Sequence, residues 1–134
     1  MKDGNGKGKE YCYDGRLKFE GEYLNGKKWN GKGKDYFYDD KLMFEEEYLN
    51  GEINGKGKKY IDNAKLKFEG EYLKGKRNGK GKEYYYDGNL KFEGEYLNRK
   101  RNGKGREYDY NGKLIFEGEY LNGDRHLKGK EFDL

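Results

Sequence analysis

The sequence predicts an all-β protein: a single-layer antiparallel meander of tandem β-hairpins, with about eleven strands. Three observations carry this reading. Phenylalanines 19, 44, 68, 92 and 116 open five near-copies of one segment, at spacings of 25, 24, 24 and 24 residues. Inside each copy, apolar or small residues alternate with charged ones at the period of two that a half-exposed strand requires. Glycine recurs 23 times, often beside Asn or Asp, and each one inside a helix would cost about 1 kcal/mol.

The 134 residues read as one repeat domain: a half-unit at 6–18, units starting at 19, 44, 68, 92 and 116, and a truncated last unit that caps the sheet edge. The first strand of a unit is typified by Leu90-Lys91-Phe92-Glu93-Gly94-Glu95-Tyr96, and the second by the tyrosine-rich Lys80-Gly81-Lys82-Glu83-Tyr84-Tyr85-Tyr86. Asp87-Gly88 between units predicts a type I′ turn, which needs positive φ at both central residues. Within units, Asn-Gly-Lys-Arg-Asn-Gly reads as a longer loop, lengthened by one residue in Gly26–Gly31. At roughly 4.8 Å per strand the whole is a twisted ribbon on the order of 50 Å long. A single sheet must supply its own packing, and ring, gap, ring along one face lets neighbouring aromatics lie across glycine. Phe19, Tyr23, Phe44, Tyr48, Phe68, Tyr72, Phe92, Tyr96, Phe116 and Tyr120 are therefore the structural positions.

Composition narrows the function. Only 31% of residues are hydrophobic and 42% are charged, which is poor material for a globular core. Yet 30 basic and 26 acidic residues nearly cancel, and the many aromatic rings supply apolar faces that disordered chains lack. Ser, Thr, Pro, Gln and Val are absent, which excludes hydroxyl nucleophiles, Walker-type phosphate loops and N-glycosylation acceptors. One cysteine, Cys12, and one histidine, His126, assemble neither an intramolecular disulfide nor a zinc cluster. No apolar run reaches the length of a membrane-spanning helix and the N-terminus lacks a secretory pattern, so a cytoplasmic location is expected.

The pattern Phe68-Glu69-Gly70-Glu71-Tyr72, Gly75-Lys76 and Gly79-Lys80-Gly81 resembles the MORN repeat, over almost the whole chain. The period and the Tyr84-Tyr85-Tyr86-Asp87-Gly88 ending are also similar to a bacterial variant of that repeat found in antitoxin-like proteins. The resemblance implies a scaffold, dimerisation module or membrane-associated linker, and it transfers no active site. Departures from the pattern are Glu46 for the strand glycine, Asn63-Ala64 for Asp-Gly, Arg99 for a turn glycine and Leu127 for another. Glu46 should disturb ring-over-glycine packing in the second unit. Leu127, Phe132 and Leu134 are candidates to cover the last sheet edge.

Glu20 and Glu22, about 7 Å apart on one face, have a spacing that inverting glycosidases use, but the pair recurs at Glu69/Glu71, Glu93/Glu95 and Glu117/Glu119. A pattern present in every unit reads as cross-strand pairing with lysines. Gly26–Lys32 mimics a phosphate loop but runs into a strand instead of a helix. The loops differ more than the strands: Trp29 and Ile53 stand where later loops carry Lys76-Arg77, Arg99-Lys100-Arg101 and Arg125. These eight residues are the candidate interaction positions, on an edge running from apolar to basic. The chain reads as a non-catalytic protein-interaction scaffold without a cofactor, its partner unidentified and homodimerisation one mode. The alternative is a peripheral adaptor that binds anionic phospholipid through the basic loops. The near-balanced charge disfavours nucleic acid.

Overall fold

A computed structural model describes residues 4–37, 41–61, 64–126 and the backbone of 130–131. Asn63, Leu127, Phe132 and Leu134 lie outside the described residues. The strands are β1 (Gly6–Tyr11), β2 (Leu17–Leu24), β3 (Lys27–Tyr36), β4 (Leu42–Leu49), β5 (Glu52–Ile61), β6 (Lys65–Leu73), β7 (Lys76–Tyr84), β8 (Leu90–Leu97), β9 (Lys100–Tyr108), β10 (Leu114–Leu121), β11 (Asp124–Arg125) and β12 (Lys130–Glu131). From β1 to β11 each pairs with its sequence neighbours, which makes one open antiparallel sheet. Because β9 takes one edge of β10, the two-residue strands β11 and β12 share the other and together fill the eleventh position.

The two turn types are exchanged relative to the sequence reading. The type I′ turns lie inside the units, at Asn25-Gly26, Asn50-Gly51, Lys74-Gly75, Asn98-Arg99 and Asn122-Gly123, where both residues of every pair have positive φ. At the joint between units only Gly88 does (φ 93°). The hairpin there closes on Tyr85 and Asn89, the Gly88 N–H donates to the Tyr85 carbonyl at 2.9 Å, and Asp87 Oδ1 accepts from the Asn89 N–H at 3.0 Å. This is the three-residue loop with a terminal left-handed glycine. Asp87 serves as a side-chain acceptor and needs no positive φ.

The residues read as a long loop consequently belong to strands, because the strand following each I′ turn carries a bulge. Facing Gly70–Tyr72, β7 runs from Gly81 to Arg77, two residues more than its partner. Successive I′ turns are also tied together. The N–H of Gly51, Gly75, Arg99 and Gly123 donates to the carbonyl of Trp29, Ile53, Arg77 and Arg101 in the preceding unit, at 2.8–2.9 Å. The N–H of Asn50 and of Asn122 donates to Oδ1 of Asn30 and Asn102.

One face of the sheet holds the aromatic core. Phe19, Phe68 and Phe92 are 0% exposed although nothing but the sheet's own side chains covers them. Each phenylalanine lies on bare glycine: a Cβ on Gly81 would stand 2.8 Å from the Phe68 ring and 2.9 Å from Tyr96. Edge-to-face contacts run unbroken from Phe44 through Tyr72, Phe68, Tyr96, Phe92 and Tyr120 to Phe116, with centroids 5.1–5.9 Å apart. Such pairs contribute about 0.5–1.5 kcal/mol each beyond the area they bury.

Two substitutions check this account by denaturant unfolding. Gly94→Ala places a Cβ 2.5 Å from the Lys104 carbonyl and 2.7 Å from Gly105 Cα, so it should destabilise by at least the roughly 1–3 kcal/mol typical of overpacking. Arg99→Gly relieves a non-glycine residue held at φ 76° and should stabilise by about 1 kcal/mol.

Candidate functional site

On the face opposite the aromatics, each first strand presents two glutamates, as Glu69 and Glu71 in β6, and the second strands two basic residues, as Lys80 and Lys82 in β7. Register sets these directly against one another. One ladder crosses the sheet as Lys34, Glu45, Lys58, Glu69, Lys82, Glu93, Arg106 and Glu117, every basic residue standing between acidic ones after the first. Beside it run the pairs Lys56/Glu71, Lys80/Glu95 and Lys104/Glu119. Opposite charges so placed contribute about 0.2–1 kcal/mol per pair. Arg106 reaches Glu117 at 2.7 Å.

Between the two rows the intervening residue turns its side-chain position to the aromatic face, so the floor is backbone and the space above it is open. The result is a groove of about 1050 Å³ from β5 to β10. Its basic walls are Lys56, Lys58, Lys80, Lys82, Lys104 and Arg106. Its acidic walls are Glu69, Glu71, Glu93, Glu95, Glu117 and Glu119. Six against six leaves it neutral. Two residues beyond Glu71, Glu95 and Glu119, and so on the same face, stand Leu73, Leu97 and Leu121, exposed by 47%, 51% and 54%.

The glutamates are held, not free. The bulge strands a backbone N–H, and the carboxylate opposite accepts it: Glu47 from Lys56 at 2.8 Å, Glu71 from Lys80 at 3.3 Å, Glu95 from Lys104 at 2.7 Å. Glycine at φ near 100° makes room for that carboxylate at Gly55, Gly79 and Gly103. In the other row Tyr60 and Tyr108 donate to Glu45 and Glu93 at 2.8 and 2.7 Å, and Tyr84 donates to Glu69. The pairs Glu69/Glu71 and Glu93/Glu95 are thus committed to hydrogen bonds. Among the described residues no three His, Cys, Asp or Glu side chains gather as a metal would need.

The candidate interaction residues scatter to different places. Lys76, Arg99 and Lys100 are exposed at the I′ turns. Arg77 and Arg101 lie in strands on the aromatic face, their guanidinium groups 3.8 and 4.1 Å above the Phe68 and Phe92 rings. Arg125 covers Phe116 at 4.7 Å. Arg101 grips Glu83 through two hydrogen bonds of 2.9 and 3.0 Å, and Arg125 reaches Glu107 at 2.7 Å. Burial works to raise the Glu83 carboxyl, but the hydrogen bonds from Arg101 and Tyr96 outweigh it and hold it below the usual range. Ile53 packs against the core. Trp29 is the extra residue of the first unit and rests on Gly51, while Lys28 faces Tyr23 in the place of an arginine. These residues therefore do not form one edge graded from apolar to basic. Their spacing in sequence hid this, because it does not reveal which way a bulged strand faces.

Two positions on the aromatic face stand apart. Lys59 occupies the place of Glu83 and Glu107, and burial, Lys67 and Arg77 together lower its pKa. Glu46 takes the packing-glycine position, 3% exposed, with Tyr48 Oη 3.4 Å from Oε1 and no partner for Oε2. Burial first, then the Asp35 carboxylate, push its pKa up to about 8. Its side chain stands between Phe44 and Tyr48, and the aromatic row divides there. Phe19 contacts Tyr23 and Tyr48, while the longer row begins at Phe44.

The fold is that of a tandem hairpin-repeat protein. The MORN repeat family model matches residues 47–63, 68–90 and 92–113, three consecutive segments, and the chain is a MORN-repeat protein. Units outside the match, from 19 and from 116, share the same strand and I′-turn pattern. No curated protein matches the chain significantly. Repeats of this family commonly form protein- or membrane-binding modules, on an all-β scaffold that is generally non-catalytic.

Glu46 makes stability depend on pH with a definite sign. Its folded pKa exceeds the unfolded value, so the folded state retains a proton that the unfolded chain releases between about pH 4.5 and about 8. Stability should fall as pH rises across that window, by at most about 1.4 kcal/mol per unit, and Glu46→Gln should remove this component in pH-dependent thermal unfolding. Lys59→Glu, which sets a carboxylate beside Arg77, should stabilise by about 1 kcal/mol in denaturant titration.

Proposed function

We propose that this chain is a protein-interaction scaffold that holds a partner polypeptide along the Lys/Glu groove and its leucine rim. The observation that carries the reading is the groove's neutrality, six basic against six acidic side chains, beside exposed Leu73, Leu97 and Leu121. A neutral trough with an apolar margin offers no concentrated charge for a phosphate backbone or an anionic headgroup. It does offer methylene stems, a backbone floor and both hydrogen-bonding signs to a peptide. Glutamates fixed by tyrosines and bulge N–H groups keep that surface preorganised, which lowers the ordering cost of binding.

A membrane-adaptor reading draws on Lys74, Lys76, Arg99 and Lys100, which are exposed on the same turn edge as Leu73 and Leu97. Arg77 and Arg101 contribute less to it, since both are engaged over rings.

Affinity capture followed by cross-linking mass spectrometry tests the first reading. Leu73→Lys/Leu97→Lys/Leu121→Lys should weaken binding of the captured protein by about tenfold or more, while Tyr13→Ala, on the opposite edge, should leave it unchanged. Co-sedimentation with phosphatidylserine/phosphatidylcholine vesicles decides the second. Sedimentation of the wild-type chain that is lost in Lys74→Glu/Lys76→Glu/Arg99→Glu/Lys100→Glu would put the membrane first.

A further inference from the structure

The two margins of the sheet are complementary. Among the described residues no strand pairs with the outer edge of β1. Among the described residues the outer edge of β10 is covered by two short pieces, which pair with Tyr120, Leu121, Phe116 and Glu117, and the Glu119 carbonyl accepts from the His126 N–H at 2.7 Å. Interior strands show what a complete partner on that edge looks like: against β6, β7 sets Glu83 opposite Phe68, Lys82 opposite Glu69 and Gly81 opposite Gly70, and then bulges through Lys80 and Gly79 so that Arg77 meets Tyr72. β1 reads in the same order, Gly6-Lys7-Gly8-Lys9-Glu10, and Gly6 already holds φ 113° where Gly79 holds 100°. In the chain's own closing segment the sequence has Leu127 where the interior units have that glycine.

We propose that copies of this chain join head to tail, β1 of one copy exchanging for β11 and β12 on the outer edge of β10 in the next. The interior register dictates the joint. Lys9 falls opposite Glu117, Gly8 meets Gly118 and Glu10 meets Phe116, while Lys7 enters the bulge beside Glu119. The Lys7 N–H then donates to the Glu119 carboxylate, as the Lys104 N–H does to Glu95. Charge also gives direction. Two β1 strands paired about Gly8 would set Lys7 against Lys9, and like charges directly opposite are destabilising. The contact is heterologous and does not close, so the ribbon lengthens copy by copy. Each joint competes with the copy's own closing strands, which makes the assembly concentration-dependent. The groove reading and this one share Glu117 and Glu119, whereas Lys7 and Lys9 lie outside the groove, so Lys7→Glu/Lys9→Glu tests the joint alone.

Sedimentation velocity on the full chain tests the proposal from micromolar to millimolar concentration. Mass should rise in whole copies beyond the dimer. Lys7→Glu/Lys9→Glu should hold the chain monomeric with an unchanged circular dichroism spectrum, and so should Glu117→Lys/Glu119→Lys. An equimolar mixture of the two variants restores both charge patterns across the joint and should associate again. A wild-type chain that stays monomeric throughout, one that stops at a closed dimer, or growth indifferent to Lys7→Glu/Lys9→Glu would overturn it.

Discussion

Everything in this molecule depends on an aromatic ring lying flat against a stretch of backbone that has no side chain. A one-layer sheet has no second layer to bury against, so its apolar face must be sealed by its own substituents. Phenylalanine over glycine does this, with a tyrosine from the next unit meeting the ring edge-on and a guanidinium above it. The glycines of β6 to β10 are therefore packing surfaces, and their lack of a Cβ matters more than their flexibility. Where Glu46 replaces one of them, the aromatic row divides and a carboxyl is left buried with one oxygen unpartnered.

The other face follows from strand alternation. The residues between the charged rows point to the aromatic side, so the groove floor is bare peptide. The rows owe their order to the strand register, and that register is enforced by the bulge, where a glutamate accepts the N–H the extra residues leave unpaired.

Much of this was legible from the sequence. The 24-residue period, the alternation and the glycine spacing were enough to specify a single-layer antiparallel meander and the ring-over-glycine face, while whether the sheet stays open is shown only by the strand pairing. The turn chemistry was not. Asn-Gly and Asp-Gly carry the same local signal, and only the pairing shows that Asn50-Gly51 makes the two-residue turn while Asp87 accepts a hydrogen bond from Asn89. Once the turn is misplaced, Arg77 and Arg101 fall in a loop, whereas a bulged strand carries them onto the aromatic face. The partnership of Arg101 with Glu83 spans 18 residues and two hairpins, beyond the reach of local pattern. The groove escaped notice because each Glu/Lys pair is unremarkable singly and becomes a wall only when the sheet stacks them.

The hydrogen bonds that tie each I′ turn to the one before it have a mechanical consequence. They join neighbours only, as the ring contacts do, so the ribbon is a one-dimensional array of linked units with no long-range closure. Tension applied at the two ends would peel hairpins away singly from the margins, each release breaking one turn-to-turn tie and one ring contact. Tension along the strand direction, which runs across the ribbon, would load a whole ladder in shear at once. The ribbon should therefore be compliant along its chain and stiff across it.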